Sequence, residues 1–267
     1  MNVLIAGNDV AYDGIELVVY TLLSTNKDVN IYIFTMDADI YNPETGCGTM
    51  YKSIQPYQKE KLKKIVRYLD CKSNICFKDV HDLYMEHLDK SVNRHTSFTP
   101  YTALRLLADL ALPYIKDLLY LDCDVAITGD IRPIYNDFVH RGCNYGAYVT
   151  PDACGGKGEM VAGVMFMNLE LMRANGFLAT ARRNYNTNLY NFPDQCAIRD
   201  SGDPVHFPPT MGYCDNLDDF DGLPLIIHFT NRISPKIYCA KNREFFFKKF
   251  PFLNYAKEGI ALLDTIH

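Results

Sequence analysis

The chain has 267 residues, 48% of them hydrophobic and 22% charged, an ordinary globular composition for one large domain or two small ones. Its net charge of −5 offers no general basic face for nucleic acid, and no run of about 18 apolar residues is present to cross a membrane. The nine cysteines are odd in number and scattered without a Cys-x-x-Cys pair, which argues against a structural zinc site and for reduced thiols in a cytoplasmic protein.

Val3–Ala6 reads as a first strand rather than a signal peptide, because the chain turns polar at Gly7-Asn8-Asp9. Ile15–Leu23 is apolar on nearly every position and predicts a buried helix. Asn30–Phe34 follows as a second strand. Gln58–Leu69 carries Leu62, Ile65, Val66 and Leu69 at helical spacing, with lysines opposite. Thr99–Leu112 predicts another helix, ended by Pro113. Strand and helix alternate through this third of the chain, which argues for a parallel sheet with helices on its faces. Further on, Tyr145–Val149 and Val161–Asn168 read as strands around a Gly-rich loop at Pro151–Glu159. Leu169–Asn175, Phe177–Tyr185 and Pro193–Asp200 read as helices, and Leu223–Phe229 as a strand delivering His228 near its end. One α/β domain over 1–240, with a helical tail over 241–267, is the simplest organisation.

The most informative stretch is Leu118-Leu119-Tyr120-Leu121-Asp122-Cys123-Asp124, an apolar run that ends in two acids one residue apart. If the backbone stays extended, alternation points Asp122 and Asp124 to one side. Two such carboxylates repel unless a cation sits between them, and a divalent ion with open positions can hold a diphosphate. The competing reading is a plain loop in which one Asp caps a helix and the other is solvated. His228 follows Leu225-Ile226-Ile227 and so emerges from a buried strand, as a third ligand should. Ala6–Asp9, Asp122–Asp124 and His228 all fall at carboxyl ends of strands, where open α/β sheets bind ligands.

Several further pieces, taken in order, resemble glycosyltransferase family 8, the group that includes glycogenin and bacterial lipooligosaccharide galactosyltransferases. Val3-Leu4-Ile5-Ala6-Gly7-Asn8-Asp9 resembles its opening nucleotide-binding strand, and Phe98-Thr99-Pro100-Tyr101-Thr102-Ala103-Leu104-Arg105-Leu106 its donor-side helix. Asp122-Cys123-Asp124 resembles its metal motif and Ala162-Gly163-Val164 the strand lining its sugar pocket. Pro193-Asp194-Gln195 resembles its acid–glutamine pair, and His228-Phe229-Thr230 its last metal ligand. The resemblance spans about residues 3 to 235. It implies a GT-A fold, Rossmann-like and mixed but mainly parallel, in one domain. It also implies a retaining transfer of a hexose from UDP-glucose or UDP-galactose to a hydroxyl acceptor.

By that resemblance Asp122, Asp124 and His228 hold manganese, with magnesium as the alternative. Ala6, Asn8, Asp9 and, nearby, Tyr12 meet the nucleotide, while Cys123, Ala162 and Gly163 line the donor. Arg105 pairs with a phosphate or sugar hydroxyl, Asp194 binds donor-sugar hydroxyls, and Gln195 sits beneath the anomeric carbon. A neutral amide is a weak nucleophile, so front-face attack is preferred, with Gln195 stabilising charge. Family members commonly follow the histidine with Gly and then Lys-Pro-Trp; here Asn231 and Ser234 stand in those places and the chain has no Trp. Arg232 or Lys236 would supply the missing cation. Glycan, lipid-linked and protein acceptors all suit this chemistry. The basic, Phe-rich stretch 241–253 suits either peripheral contact at the inner membrane face or core packing with a charged edge. Two other functions compete. A haloacid-dehalogenase-like phosphatase would use Asp122 and the later Asp218–Asp219, yet its first motif belongs near the N-terminus. A nucleotide-sugar-binding relative without turnover is the other.

Overall fold

The computed structural model describes residues 1–42, 47–94, 96, 98–149, 160–202, 204–207, 225–229 and 256–261. Its centre is a seven-stranded sheet built from β1 (Asn2–Ala6), β2 (Asn30–Thr35), β5 (Asn74–Asp79), β6 (Asp117–Leu121), β8 (Tyr145–Val149), β9 (Met160–Asn168) and β10 (Val205–Phe207). The order is β10-β8-β9-β6-β1-β2-β5, and every strand but β9 runs the same way. Two short ribbons stand apart: β3 (Ala38–Asn42) with β4 (Cys47–Tyr51), and β7 (Val125–Ile127) with β11 (Ile226–His228), both antiparallel.

Alternation along the central strands makes two apolar layers. Val3, Ile5, Leu119, Leu121, Val164 and Phe166 pack with α1 (Tyr12–Thr25), α2 (Pro56–Leu69) and α5 (Arg132–His140). Leu4, Leu118, Tyr120, Met165 and Met167 face the other way. They meet a 3₁₀ helix over Pro100–Leu107 and the helices α6 (Leu169–Asn175), α7 (Phe177–Thr187) and α8 (Pro193–Arg199). Strands buried on both faces must be apolar throughout, which explains the near-continuous Val3-Leu4-Ile5 and Leu118–Leu121 runs. Two further helices, α3 (His81–His87) and α4 (Ala108–Ala111), complete the flanks. The helix over 256–261 packs on α1, with Ala256 and Ile260 buried and Gly259 against the hydroxyl end of Tyr20.

The mainly parallel sheet flanked by helices agrees with the sequence reading. Three expectations are corrected. Thr99–Leu112 is a 3₁₀ turn of chain leading into the single α-turn α4, not one α-helix. The chain does not stay extended past Leu121: Asp122 follows the end of β6, and Cys123–Asp124 form a turn into β7. The predicted strand at Leu223–Phe229 is a strand only over Ile226–His228, and residues 223–224 lie outside the described residues. The loop at Pro151–Glu159, Asp218–Asp219, the stretch Asn231–Lys236 and the segment 241–253 also lie outside them. Among the described residues no helix is long and apolar enough to cross a membrane.

Candidate metal and donor site

β1 lies between β2 and β6 at the centre of the sheet, with Ile5 opposite both Ile33 and Leu121. The chain leaves β1 in one direction to reach β2 and returns on the other side as β6. That is the switch point at which open α/β sheets leave a crevice. The β1 exit, Ala6–Asp9, and the β6 exit, Asp122–Asp124, therefore stand side by side. β9 runs antiparallel along β6, and the Asp122 N–H donates to the Gly163 carbonyl at 2.8 Å. The β7–β11 ribbon sets Val125 opposite His228, and the Phe229 N–H donates to the Asp124 carbonyl at 2.9 Å. Backbone pairing thus brings His228 to two acids more than a hundred residues away in sequence.

One donor atom from each of Asp122, Asp124 and His228 lies within 4.8 Å of the others, and this is the metal-capable cluster found among the described residues. His228 Nε2 is 3.2 Å from Asp124 Oδ1 and 3.7 Å from Asp122 Oδ2. His228 is 8% exposed, and its Nδ1 has no hydrogen-bond partner among the described residues. Burial pulls the imidazole pKa down, but Asp124 and Asp122 outweigh it and hold the value above the ordinary one. Gly163 forms the floor: a Cβ there would come within 2.2 Å of His228 Cε1 and 2.8 Å of Asp122 Oδ2. Two carboxylate oxygens and one imidazole nitrogen, brought together where only a glycine leaves room for the ring, fit a divalent ion of borderline hardness.

Behind the acids lies a second charged layer. Arg105, 2% exposed, projects from the 3₁₀ helix. Its Nη2 donates to Asp122 Oδ1 at 2.8 Å, its Nε lies 3.1 Å from Asp194 Oδ2 and 2.8 Å from the Thr102 carbonyl, and Nη1 donates to the Ala162 carbonyl. The guanidinium also stacks on Tyr120, 4.0 Å from the ring centroid. The Tyr120 hydroxyl donates to Asp122 Oδ1 at 2.7 Å. Burial pushes its pKa far up, so it remains a proton donor. Burial likewise raises the Asp194 carboxyl above its ordinary value, with Arg105 opposing and Asp122 adding to the rise. Each nitrogen of Arg105 has a partner within the protein. The sequence expectation of an arginine reaching out to the donor meets a residue that joins Asp122 to Asp194.

Asp194 and Gln195 open α8 behind Pro193, which suits the first turn. Gln195 Oε1 accepts the Ala162 N–H at 3.1 Å, so Ala162 presents its N–H to Gln195 and its carbonyl to Arg105. On the nucleotide side, Asn8 is buried, and its Oδ1 accepts the Ala11 N–H at 2.8 Å. Asp9 holds the end of the β3–β4 ribbon, exchanging backbone and carboxylate contacts with Lys52 at 3.0 and 3.3 Å. Tyr12 is turned into the apolar layer under α1, its hydroxyl donating to Glu16 at 2.9 Å. Cys123 packs against the same layer, and its carbonyl lies where a Cβ on Gly14 would be, 2.2 Å away.

The structure therefore gathers Asp122, Asp124, His228, Arg105, Asp194, Gln195, Ala162 and Gly163 into one site, with Ala6, Asn8 and Asp9 at its side. Tyr120 joins them without having been singled out in the sequence. The available signal was its position two residues before Asp122, at the end of an apolar run. The phosphatase reading is not favoured, since Asp122 Oδ1 is clasped by Arg105 and Tyr120 where a nucleophile should be free.

No family model matches the chain, and no curated protein does. Solved structures do match. An active-site mutant of LgtC superposes with a TM-score of 0.63 at 15% identity, covering 93% of this chain and 94% of that one. LgtC is a galactosyltransferase whose structure is also known with donor and acceptor sugar analogs. GlyE, a glycosyltransferase of Streptococcus pneumoniae TIGR4, gives 0.62 at 15% identity over 97% of this chain and 64% of its own. The bifunctional glycosyltransferase WbbM gives 0.62 at 17% identity over 86% of this chain and 45% of its own. The chain thus spans less than two thirds of GlyE and under half of WbbM. These neighbours are glycosyltransferases of GT-A type, and the likeness is one of fold: the chain has the GT-A architecture.

Proposed function

We propose that this chain is a metal-dependent, retaining glycosyltransferase of the family 8 kind, moving a hexose from UDP-glucose or UDP-galactose to a hydroxyl acceptor, a glycan in the first instance. The observation that carries the reading is the convergence of Asp122, Asp124 and a buried His228 at the switch point of the sheet. Those three would hold a divalent cation, manganese by the mixed oxygen and nitrogen donor set. When bound, such an ion supplies charge neutralisation to a diphosphate leaving group.

The chain's own residues do the rest. Ala6, Asn8 and Asp9 would cradle base and ribose at the β1 exit, beside the acids. Arg105 fixes Asp122 and Asp194 at once, so the diphosphate end and the sugar end of the site keep one geometry. Asp194 takes donor-sugar hydroxyls. Gln195 has its oxygen engaged by the Ala162 N–H. That favours a stabilising over a nucleophilic role, since a neutral amide with a lone pair already committed attacks poorly. The acceptor hydroxyl then enters on the face the diphosphate leaves, and a leaving phosphate oxygen takes its proton. Asn231, with Arg232 or Lys236 as the cation, would complete the diphosphate contacts.

A panel of UDP-sugars incubated with the protein and manganese tests the reading, with released UDP as the signal. UDP release from a UDP-hexose, abolished by chelation and by Asp124→Asn, is the expected outcome. Consumption of no donor would favour the binding relative without turnover. Turnover that survives a chelator would overturn the role of the metal. Proton NMR of the transferred sugar reads retention directly: an α-linked product from an α-linked donor supports it.

A further inference from the structure

The two oxygens of Asp122 face different partners. Oδ2 looks into the candidate metal site, 3.7 Å from His228 Nε2. Oδ1 receives two donors, the Arg105 Nη2–H at 2.8 Å and the Tyr120 hydroxyl at 2.7 Å. Asp122 sits just past the end of β6, where backbone pairing no longer restrains its side chain from both flanks, and that side chain is 26% exposed. A carboxylate in such a place turns about its terminal torsion, whose profile is broad and two-fold. Two donors on one oxygen remove that freedom.

Arg105 gives Oδ1 one donor, from a fork held in place by Asp194, the Thr102 carbonyl and the Ala162 carbonyl. Tyr120 gives the second, from a different direction. It is 1% exposed, lies on β6 two residues before Asp122, and its hydroxyl reaches Asp122 Oδ1 at 2.7 Å. Its ring also carries the Arg105 guanidinium. We propose that Tyr120 is a positioning residue for the cation site, its hydroxyl locking the Asp122 carboxylate so that Oδ2 faces Asp124 and His228. This rests on the reading above, that those three side chains hold a divalent ion. Hydrogen-bond partners that orient a metal ligand fix its direction and basicity, and losing one costs about 10–100-fold in metal affinity.

The test uses the full chain and manganese alone, with free Mn²⁺ followed by electron paramagnetic resonance. Tyr120→Phe keeps the ring under Arg105 and removes only the donor. Its Kd for Mn²⁺ should rise about 10–100-fold. Tyr145→Phe, which deletes another tyrosine hydroxyl, bonded to the Gly202 carbonyl, should keep the wild-type Kd. Tyr120→4-aminophenylalanine restores a donor in the same place and should recover the affinity, which a merely structural role does not predict. Should Tyr120→Phe fail to fold, 4-methylphenylalanine fills the same space without a donor and must show the same loss. An unchanged Kd in the donor-free variant overturns the positioning role and leaves the cation reading standing. Wild-type protein that binds no Mn²⁺, or Asp124→Asn that binds it equally well, overturns both.

Discussion

Gly163→Ala probes the site with one methyl group. The added Cβ would lie 2.2 Å from His228 Cε1, 2.5 Å from its Nε2 and 2.8 Å from Asp122 Oδ2. Carbon atoms in contact settle at about 3.5–4.0 Å, so the imidazole must retreat by more than ~1 Å. The β9 backbone offers little relief: the Gly163 carbonyl accepts the Asp122 N–H at 2.8 Å, so a shift of β9 would carry Asp122 with it, although on the β8 side Gly163 falls in the register shift between Val161 and Met165. Metal sites tolerate ligand displacements of about 0.2 Å. The substitution should therefore raise the Kd for Mn²⁺ by at least ~100-fold, the upper end of what losing an outer-shell partner costs. Overpacking should lower stability by about 1–3 kcal/mol. Calorimetric titration with Mn²⁺ and a thermal melt, run on the same sample, separate the two effects. Gly142→Ala is the comparison: at φ +62° with nothing within 4 Å, it should cost about 1–2 kcal/mol and leave the metal affinity intact. A Gly163→Ala protein that binds Mn²⁺ like wild type would refute the placement of the ion above Gly163.

Three further outcomes follow from other parts of the fold. Arg182 pairs with Asp109 at 2.6 and 3.2 Å in a buried setting, so Asp109→Ala should destabilise by about 3–5 kcal/mol in urea unfolding without changing Mn²⁺ affinity; a smaller loss would mean that Arg182 finds water. Gly259→Ala puts a Cβ 1.9 Å from Tyr20 Oη and should lower the Tm, with Tyr20→Phe in the same chain restoring part of the loss; no recovery would argue against the helix over 256–261 lying on α1. The Asp70 carboxylate accepts from Ser73 Oγ and from the Asp28 and Lys72 N–H groups, which lowers its pKa to about 2, below the ~3.9 of an unfolded chain. Its contribution is then complete above about pH 4 and is lost as pH falls through 2, so the difference in urea midpoint between wild type and Asp70→Ala should be constant near neutrality and shrink in acid.

The strands that carry the site were legible because burial on both faces forces continuous apolar runs, as in Val3–Ala6, Leu118–Leu121 and the β9 stretch. The strand at Asn74–Asp79 was not. Among the described residues it pairs only with β2, and it is half-exposed, so Lys78 and Asp79 blur the alternation that would reveal it. The β3–β4 ribbon mixes polar and apolar residues in two five-residue strands, and α5 over Arg132–His140 is only nine residues long, so its stripe of Ile134, Tyr135, Phe138 and Val139 is brief. The convergence of Asp122 and Asp124 was foreseen for the wrong reason. Extended alternation was expected, whereas a turn does the work, held by the β7–β11 pairing and by the close approach of Gly14 on α1 to Cys123. Both are contacts between distant segments and leave no local trace. The same holds for Arg105, Asp194 and Tyr120. Residue types and order named the first two, but only the fold reveals that they are bound to one another and, through Tyr120 and Asp122, to the candidate metal site.

The most direct measurement is anomalous diffraction at the manganese edge from crystals grown with Mn²⁺ and UDP. A single peak within about 2.0–2.3 Å of one oxygen from each of Asp122 and Asp124 and of His228 Nε2, touching the diphosphate, is the predicted result. A diphosphate bound with no peak among those three side chains, or a peak elsewhere, would contradict the account.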